Sequence, residues 1–449
     1  MTNAVLQSCL GLLIALALVA PTALKPIKLA LLALSLTLVG LQYGRLLPRG
    51  ATRSLSHFLA FSVIGIFYCG YGFLQGAPGA TQFLGVAVVW PLVYWWLSLG
   101  TISPESLRHL GDLLTGCTVL ICFLALSPIV FPSLGVADWL TASLGVDLWA
   151  NVYEGHTEIR FKAIGSLFFL IPFSIKRATN ELIAPRSSGG RRACVLTLAA
   201  IVAVVTAILS GRRALIGLLL LAPLWLPLRS ATSDSPTTRQ RFRSVIGLSL
   251  SLVVISALAC LLASAIGLVS IAGVAEQLAS AIPYSEQVVE STDVRIDQAF
   301  SMVSEWWQQA RWLGFGFGSS APVLRGSEEQ PWAYELQYVY LLYATGLIGV
   351  GCYCIWFLWQ IRLLHRELAA RPAIARQEID PLMVGLIGLL LGNATNPYLP
   401  KFDYLWLLFL PTVAWYALVP RGSREMLTSR PRTFSARDGE AEIHANATP

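Results

Sequence analysis

Apolar positions in this chain come in long uninterrupted runs, among them 8–20, 30–41, 193–209, 214–228 and 245–271, instead of in short alternations. A run of about 20 apolar residues matches the length of helix that crosses the hydrocarbon of a bilayer, whereas barrel strands show short alternating segments. Hydrocarbon offers no water to backbone N–H and C=O groups, so each run must pair its own backbone, which a helix does. The pattern predicts about twelve helical spans, at 5–24, 26–43, 57–76, 80–99, 113–132, 161–175, 193–209, 214–228, 244–271, 336–361, 381–397 and 402–419. The expected fold is therefore an all-α, polytopic transmembrane bundle over 1–419, with one large loop, 272–335, between the ninth and tenth spans. Residues 420–449 carry few large apolar side chains and read as a disordered tail. Met1 to Ala20 lacks a basic leading region and reads as the first span, not as a signal peptide.

Composition agrees: 55% of the 449 residues are hydrophobic, 13% are charged, and the mean hydropathy is +0.64. So little polar surface cannot cover a water-soluble body of this length, and lipid must cover it instead. About two-thirds of the 32 Lys and Arg residues fall in the segments that share a side with the termini, which puts both termini in the cytoplasm. The clusters Arg186, Arg191, Arg192 and Arg239, Arg241, Arg243 are then topology anchors, while Lys25 and Lys28, in the first outer turn, run against the rule. The net charge of +7 is what orientation alone requires, so it does not point to nucleic acid. All eight cysteines lie in or beside apolar runs, with no accompanying His cluster, and read as small membrane-core residues instead of metal ligands or disulfides.

Two outer segments are richer in chemistry than a connection needs. Residues 137–162 hold Trp149, Glu154, His156, Glu158 and Arg160, and residues 272–335 hold Arg295, Asp297, Trp306, Trp307, Arg311, Trp312 and Glu335. In the second, Ser291 to Asp293 can cap a helix whose apolar positions Ile296, Phe300, Val303, Trp307 and Ala310 recur at helical spacing. That spacing predicts a helical cap over the bundle with this face buried. The alternative is an interfacial helix lying in the headgroups. Arg212 and Arg213 fall between two short spans, where an anionic phosphate would supply the missing charge, or where they would snorkel to lipid headgroups. Arg160 and Arg295 have ordinary explanations as ion pairs with nearby carboxylates. The run from Trp312 to Ser319 has the glycines of a phosphate-cradling loop, but no βαβ unit is predicted around it. Its glycines then read as a tight, mobile turn against an aromatic surface. Glu335 opens the tenth span, as a helix N-terminal charge or as a general base.

The ordered series Glu154, Arg160-Phe161, Gly165, then Ser210-Gly211-Arg212-Arg213, then Arg295 and Gly314-Phe315-Gly316-Phe317-Gly318, then Glu335 and Gly346-Leu347-Ile348-Gly349 resembles the O-antigen polymerase and ligase superfamily. The likeness covers about residues 150–360. It implies a GT-C-like membrane glycosyltransferase of the bacterial inner membrane, working at the outer face on a glycan carried by a polyprenyl diphosphate. It also implies that Arg160, Arg212 and Arg295 hold the diphosphate, with Arg213, Glu154 and His156 beside them. Glu335 would be the base that deprotonates the acceptor sugar, with Asp297, Glu154 and His156 behind it. No metal or cofactor is called for. The expected partners are the carrier-linked glycan, an acceptor glycan, membrane lipids and a chain-length regulator. Ligases that act on lipid A core carry a His with a neighbouring Asn where this chain has 332–337, and neither is present, which favours a polymerase. A ligase for another acceptor and a transporter of a lipid-linked or anionic substrate are the alternatives, although no internal repeat supports transport.

Overall fold

The computed structural model describes residues 2–43, 51–100, 104–131, 135–144, 148–153, 156–183, 190–210, 212–221, 290–323, 330–369 and 375–418, with five isolated positions between 254 and 265. Helix dominates. Among the described residues, six helices are long and apolar enough to cross a membrane: Lys25–Tyr43, Ala51–Leu74, Ala80–Ser98, Pro104–Val130, Gly190–Leu209 and Gln337–Ala369. Shorter apolar helices at Ala4–Val19 and Phe402–Leu418 accompany them. In chain order the elements are α1 (Thr2–Val19), α2 (Lys25–Tyr43), α3 (Ala51–Leu74), α4 (Ala80–Ser98), α5 (Pro104–Val130), α6 (Val136–Leu144), β1 (Leu148–Tyr153), β2 (His156–Phe161) and α7 (Leu167–Ile183). They continue as α8 (Gly190–Leu209), α9 (Arg213–Leu220), α10 (Glu290–Gln309), α11 (Gln337–Ala369), α12 (Asp380–Asn393) and α13 (Phe402–Leu418). The expected ninth span, most of the large loop before Glu290 and the tail lie outside the described residues.

The all-α expectation needs one correction. β1 and β2 form an antiparallel hairpin in which Trp149 pairs with Arg160 and Leu148 with Phe161. Ile159 and Phe161 are buried while Arg160 between them is exposed, the alternation of a strand with one face on a core. The sixth span consequently does not start at 161. A 3-10 turn, Lys162–Ser166, follows the strand, and the helix runs from Leu167 to Ile183, carrying Lys176, Arg177, Asn180 and Glu181 into buried positions.

Small residues set the closest packing. Gly385, Gly388 and Gly392 recur every three or four residues along α12, and a Cβ on each would meet Phe169, the Phe168 carbonyl with Pro172, and the Phe168 ring, all under 3.0 Å. Without side chains there, α7 lies directly against α12, the arrangement that small residues permit between membrane helices. This contact carries the end of α12 to the loop 394–401. Asn393 Oδ1 holds that loop by accepting the N–H groups of Tyr398 (3.1 Å) and Leu399 (3.0 Å).

α11 is broken. Gly346 has φ 60° and ψ −171°, so the helix stops and restarts there. In an unbroken helix the N–H groups of Leu347 and Ile348 would donate to the carbonyls of Tyr343 and Ala344. Here they donate instead to Arg311 (3.0 Å) and Trp312 (3.1 Å), and the freed carbonyls accept from Phe315 (3.0 Å) and Gly316 (2.8 Å). The segment 311–318 thus supplies a partner for each of these four groups. It goes on to bond Tyr68 through Phe317 N–H and to accept Gly79 N–H at Gly318. Gly314, Gly316 and Gly318 all have positive φ, and a Cβ on any of them would lie within 2.5 Å of backbone in α11, α3 or α4. The glycine run is therefore buried and clamped by backbone, not a mobile turn.

The side of α10 expected to be buried is not. Gln298, Met302 and Trp306 are buried against the body, and Phe300 (66% exposed), Val303 and Trp307 (54%) face outward. Tyr343 of α11 donates to Glu305 (3.0 Å) and Trp306 Nε1 donates to the Arg311 carbonyl (3.1 Å), which ties α10 to α11 and to the glycine segment.

Candidate functional site

The helix ends sort into two groups by their contacts. At one end the Lys28 ammonium pairs with Asp403 at 2.7 Å, and Asp403 also accepts Thr22 N–H. Both charged side chains are buried. Lys28 therefore answers to a carboxylate some 375 residues away in sequence, which explains why it is tolerated against the charge bias. The same end gathers the hairpin, since Ile159 N–H donates to the Ser210 carbonyl (3.2 Å), and the 394–401 loop, since Gly165 lies against Tyr398.

Around Tyr398 four segments meet. Burial raises the Tyr398 hydroxyl pKa, the positive charge of Arg212 opposes that rise, and the negative charge of Glu335 adds to it. Two residues separated by more than 120 positions thus act on one hydroxyl. Lys401 keeps an exposed edge, yet desolvation pulls its ammonium below the ordinary lysine value. Asp403 and Glu335 draw it upward and Lys162 pushes it down. Arg295 joins through Glu335: its Nε donates to Glu335 Oε2 at 2.7 Å, and its Nη2 donates to the same oxygen. Both side chains are about a third exposed, so the pair is open to a ligand. One turn further along α10, Gln298 is fully buried with both side-chain polar atoms unpartnered among the described residues.

Arg212 sits immediately before α9 in an extended conformation, with its N–H donating to Ser210 Oγ (3.3 Å). The amino end of a helix already carries partial positive charge, and an Arg beside it adds to that instead of neutralising it. An anion at this point would answer both. Among the described residues, Arg212, Arg295, Lys162 and Lys401 are set against Glu335 and against Asp403, which Lys28 also engages.

The remaining sequence-derived candidates are described only in part. Arg160 stands on the exposed face of the hairpin with its guanidinium 4.5 Å from the Trp149 ring centroid. Asp297 is exposed, two residues and so about 200° round the helix from Arg295. Arg213 begins α9 and His156 pairs with Tyr153 in the hairpin, but their side chains, and all of Glu154, lie outside the described residues. Lys162, Tyr398 and Lys401 were not anticipated. Lys162 stands two residues after Arg160, and Tyr398 and Lys401 stand in the short connection between the last two apolar runs, where nothing in the local pattern marks them.

No protein-family model matches this chain, and no curated protein is similar to it. The resemblance to the polymerase and ligase superfamily therefore rests on the motifs themselves.

Proposed function

We propose that this protein is a membrane glycosyltransferase that polymerises polysaccharide repeat units from a polyprenyl-diphosphate carrier. The observation that carries the reading is the Arg295 to Glu335 pair at 2.7 Å, with Lys401 over the Tyr398 ring and with Arg212, Lys162 and Glu335 within electrostatic reach of Tyr398 or Lys401. An acceptor sugar hydroxyl attacks the anomeric carbon of the carrier-linked glycan, the bond from that carbon to the diphosphate oxygen breaks, and the carrier diphosphate leaves with the electron pair. The hydroxyl proton passes to Glu335. Charge grows on the departing diphosphate as the bond breaks, and guanidinium and ammonium groups already in position stabilise it without reorganising. Arg295 orients Glu335 by its two hydrogen bonds and turns its remaining donors to the phosphate. On this reading the chain spans the inner membrane about twelve times, has both termini in the cytoplasm and works at the opposite face.

Two rivals are weighed by particular features. A ligase for a different acceptor would use the same donor site, and the acceptor alone separates it from a polymerase. A transporter often builds its site at a broken helix. The break at Gly346 is filled by the chain's own 311–318 segment, which favours an enzyme with a rigid wall there. The test is analysis of lipid-linked glycans in a deletion strain complemented with variants. Deletion is expected to accumulate single carrier-linked units and abolish long polymer. Glu335→Gln keeps the shape and is expected to slow polymerisation by about 10² to 10⁴. Arg212→Lys should also impair it, because the planar two-point donor is lost. Polymer of normal length and amount from the Glu335→Gln strain at equal expression would remove Glu335 as the base.

A further inference from the structure

At the end of the bundle opposite Tyr398, α5 and α8 part to leave a groove of about 860 Å³. Its polar end is built from Asp112, Arg177, Arg191 and Arg192. Arg177 is almost fully buried, and its Nη2 donates to Asp112 Oδ1 at 2.6 Å; Arg192 Nη2 donates to that same oxygen at 3.0 Å. One carboxylate is thus shared by two guanidiniums, with Arg191 as a third cation beside them. Glu181 lies 3.8 Å from Arg192 Nε, and Glu378, which Arg108 engages at 3.6 Å, also acts on Arg177. With Glu181, Glu378 and Arg108 all included, four guanidiniums among the described residues face three carboxylates.

The rest of the groove is of the other kind. Val119, Leu120 and Phe123 of α5 and Val195 of α8 line it, and each is between 44% and 55% exposed, so the groove opens sideways along the apolar surface of the bundle. From Asp112 to Phe123 the wall runs eleven residues, roughly 16 Å along the helix. A free anion would satisfy the guanidiniums and leave this wall bare. A zwitterionic lipid would cover the wall and bring no net charge to the cations.

We propose that this groove is a binding site for an anionic diacyl phospholipid, its phosphate held by Arg191 and Arg192 at the polar end and one acyl chain laid along Val119, Leu120 and Phe123. Basic pockets between membrane helices recognise anionic headgroups by this chemistry, with charge-assisted hydrogen bonds from guanidinium to phosphate. Arg177 and Asp112 form the floor that fixes Arg192. The site is at the far end of α8 from Ser210 and does not depend on the glycosyltransferase reading.

Gly116 gives the test its steric arm, because it lines the groove and a Cβ there would meet nothing within 4 Å. Gly116→Phe therefore fills the groove without disturbing helix packing, and Arg191→Glu reverses an exposed charge at its mouth. The full-length protein, purified in detergent, is mixed with phosphatidylglycerol or with phosphatidylcholine of the same acyl chains, and retained lipid is read by native mass spectrometry. Phosphatidylglycerol should be retained at least fivefold over phosphatidylcholine, and each variant should cut that retention at least fivefold while keeping the parental melting temperature in lipid-free detergent. Should either variant fail to fold, Phe123→Ala, which shortens the apolar wall, and Arg191→Gln take its place, with the same reduction expected. Equal retention of the two lipids overturns the proposal. So does a loss confined to the charge variant, which marks a plain anion patch. Displacement of the lipid by millimolar inorganic phosphate, or a dimer that the groove-filling variant abolishes, assigns the groove to a free anion or to a second copy and likewise overturns it.

Discussion

Lys401 is where a single residue reports on the site. Partial burial and the neighbouring Lys162 both disfavour its charged form, and Asp403 and Glu335 only partly compensate. Its proton is therefore lost at lower pH than that of an exposed lysine. If its charge helps hold a diphosphate, affinity for a carrier-diphosphate analogue should fall as pH rises, beginning below the ordinary lysine range. In Lys401→Arg, whose guanidinium stays charged, that fall should disappear; isothermal titration of both proteins across the alkaline range checks it. The site residues legible in the sequence were those whose charge stood out against apolar surroundings: Arg212, Arg295 and Glu335. Lys401 and Tyr398 gave no such contrast, since their significance comes from Asn393 pinning the loop that presents them.

Among the elements, α11 and the 311–318 segment must be made together. The helix leaves four backbone groups unsatisfied at Gly346, and the glycine segment satisfies all four. Gly316 has φ 87° and its Cβ would lie 2.3 Å from Gly72 Cα, so Gly316→Ala should destabilise the protein by about 2 to 5 kcal/mol, combining strain and overpacking. Gly70→Ala, in α3 with open space around it, should change stability by less than about 1 kcal/mol or raise it. Thermal unfolding in detergent compares the two.

α10 shows why periodicity alone could not assign its buried side. The stripe Phe300, Val303, Trp307 and the stripe Gln298, Met302, Trp306 both run at helical spacing, and the body takes the second. With Phe300 and Trp307 outward, the helix has the form of one lying in the membrane interface. Trp307 fluorescence, taken as the difference between the parent and Trp307→Phe, should be quenched by lipids brominated near the headgroup. Quenching by aqueous iodide alone would place this face in water.

For the molecule as a whole, the Lys28 to Asp403 pair joins the first helices to the last. Breaking a buried ion pair by removing one partner costs about 3 to 5 kcal/mol, because the survivor stays buried and unpaired. Lys28→Met should lose stability on that scale. Lys28→Met with Asp403→Asn should recover most of it, since the amide oxygen can still accept Thr22 N–H without carrying charge. A double-mutant cycle of melting temperatures measures the difference.

The membrane class, the helical character of the runs and the presence of a helix near 293–310 were decided by the sequence itself. Each is a local matter: a run of apolar residues long enough to cross hydrocarbon must close its own backbone hydrogen bonds wherever the rest of the chain lies. The hairpin was half legible, in the alternation of Ile159 and Phe161 with Arg160, but the length of the apolar run after it suggested a helix from 161 onward. Which face of α10 packs, what fills the break at Gly346, why Lys28 is tolerated and which cations gather at Tyr398 were decided only by tertiary structure. Each depends on a partner from a distant part of the chain, and the free energy of burying a polar or charged group is set by that partner, not by the sequence on either side.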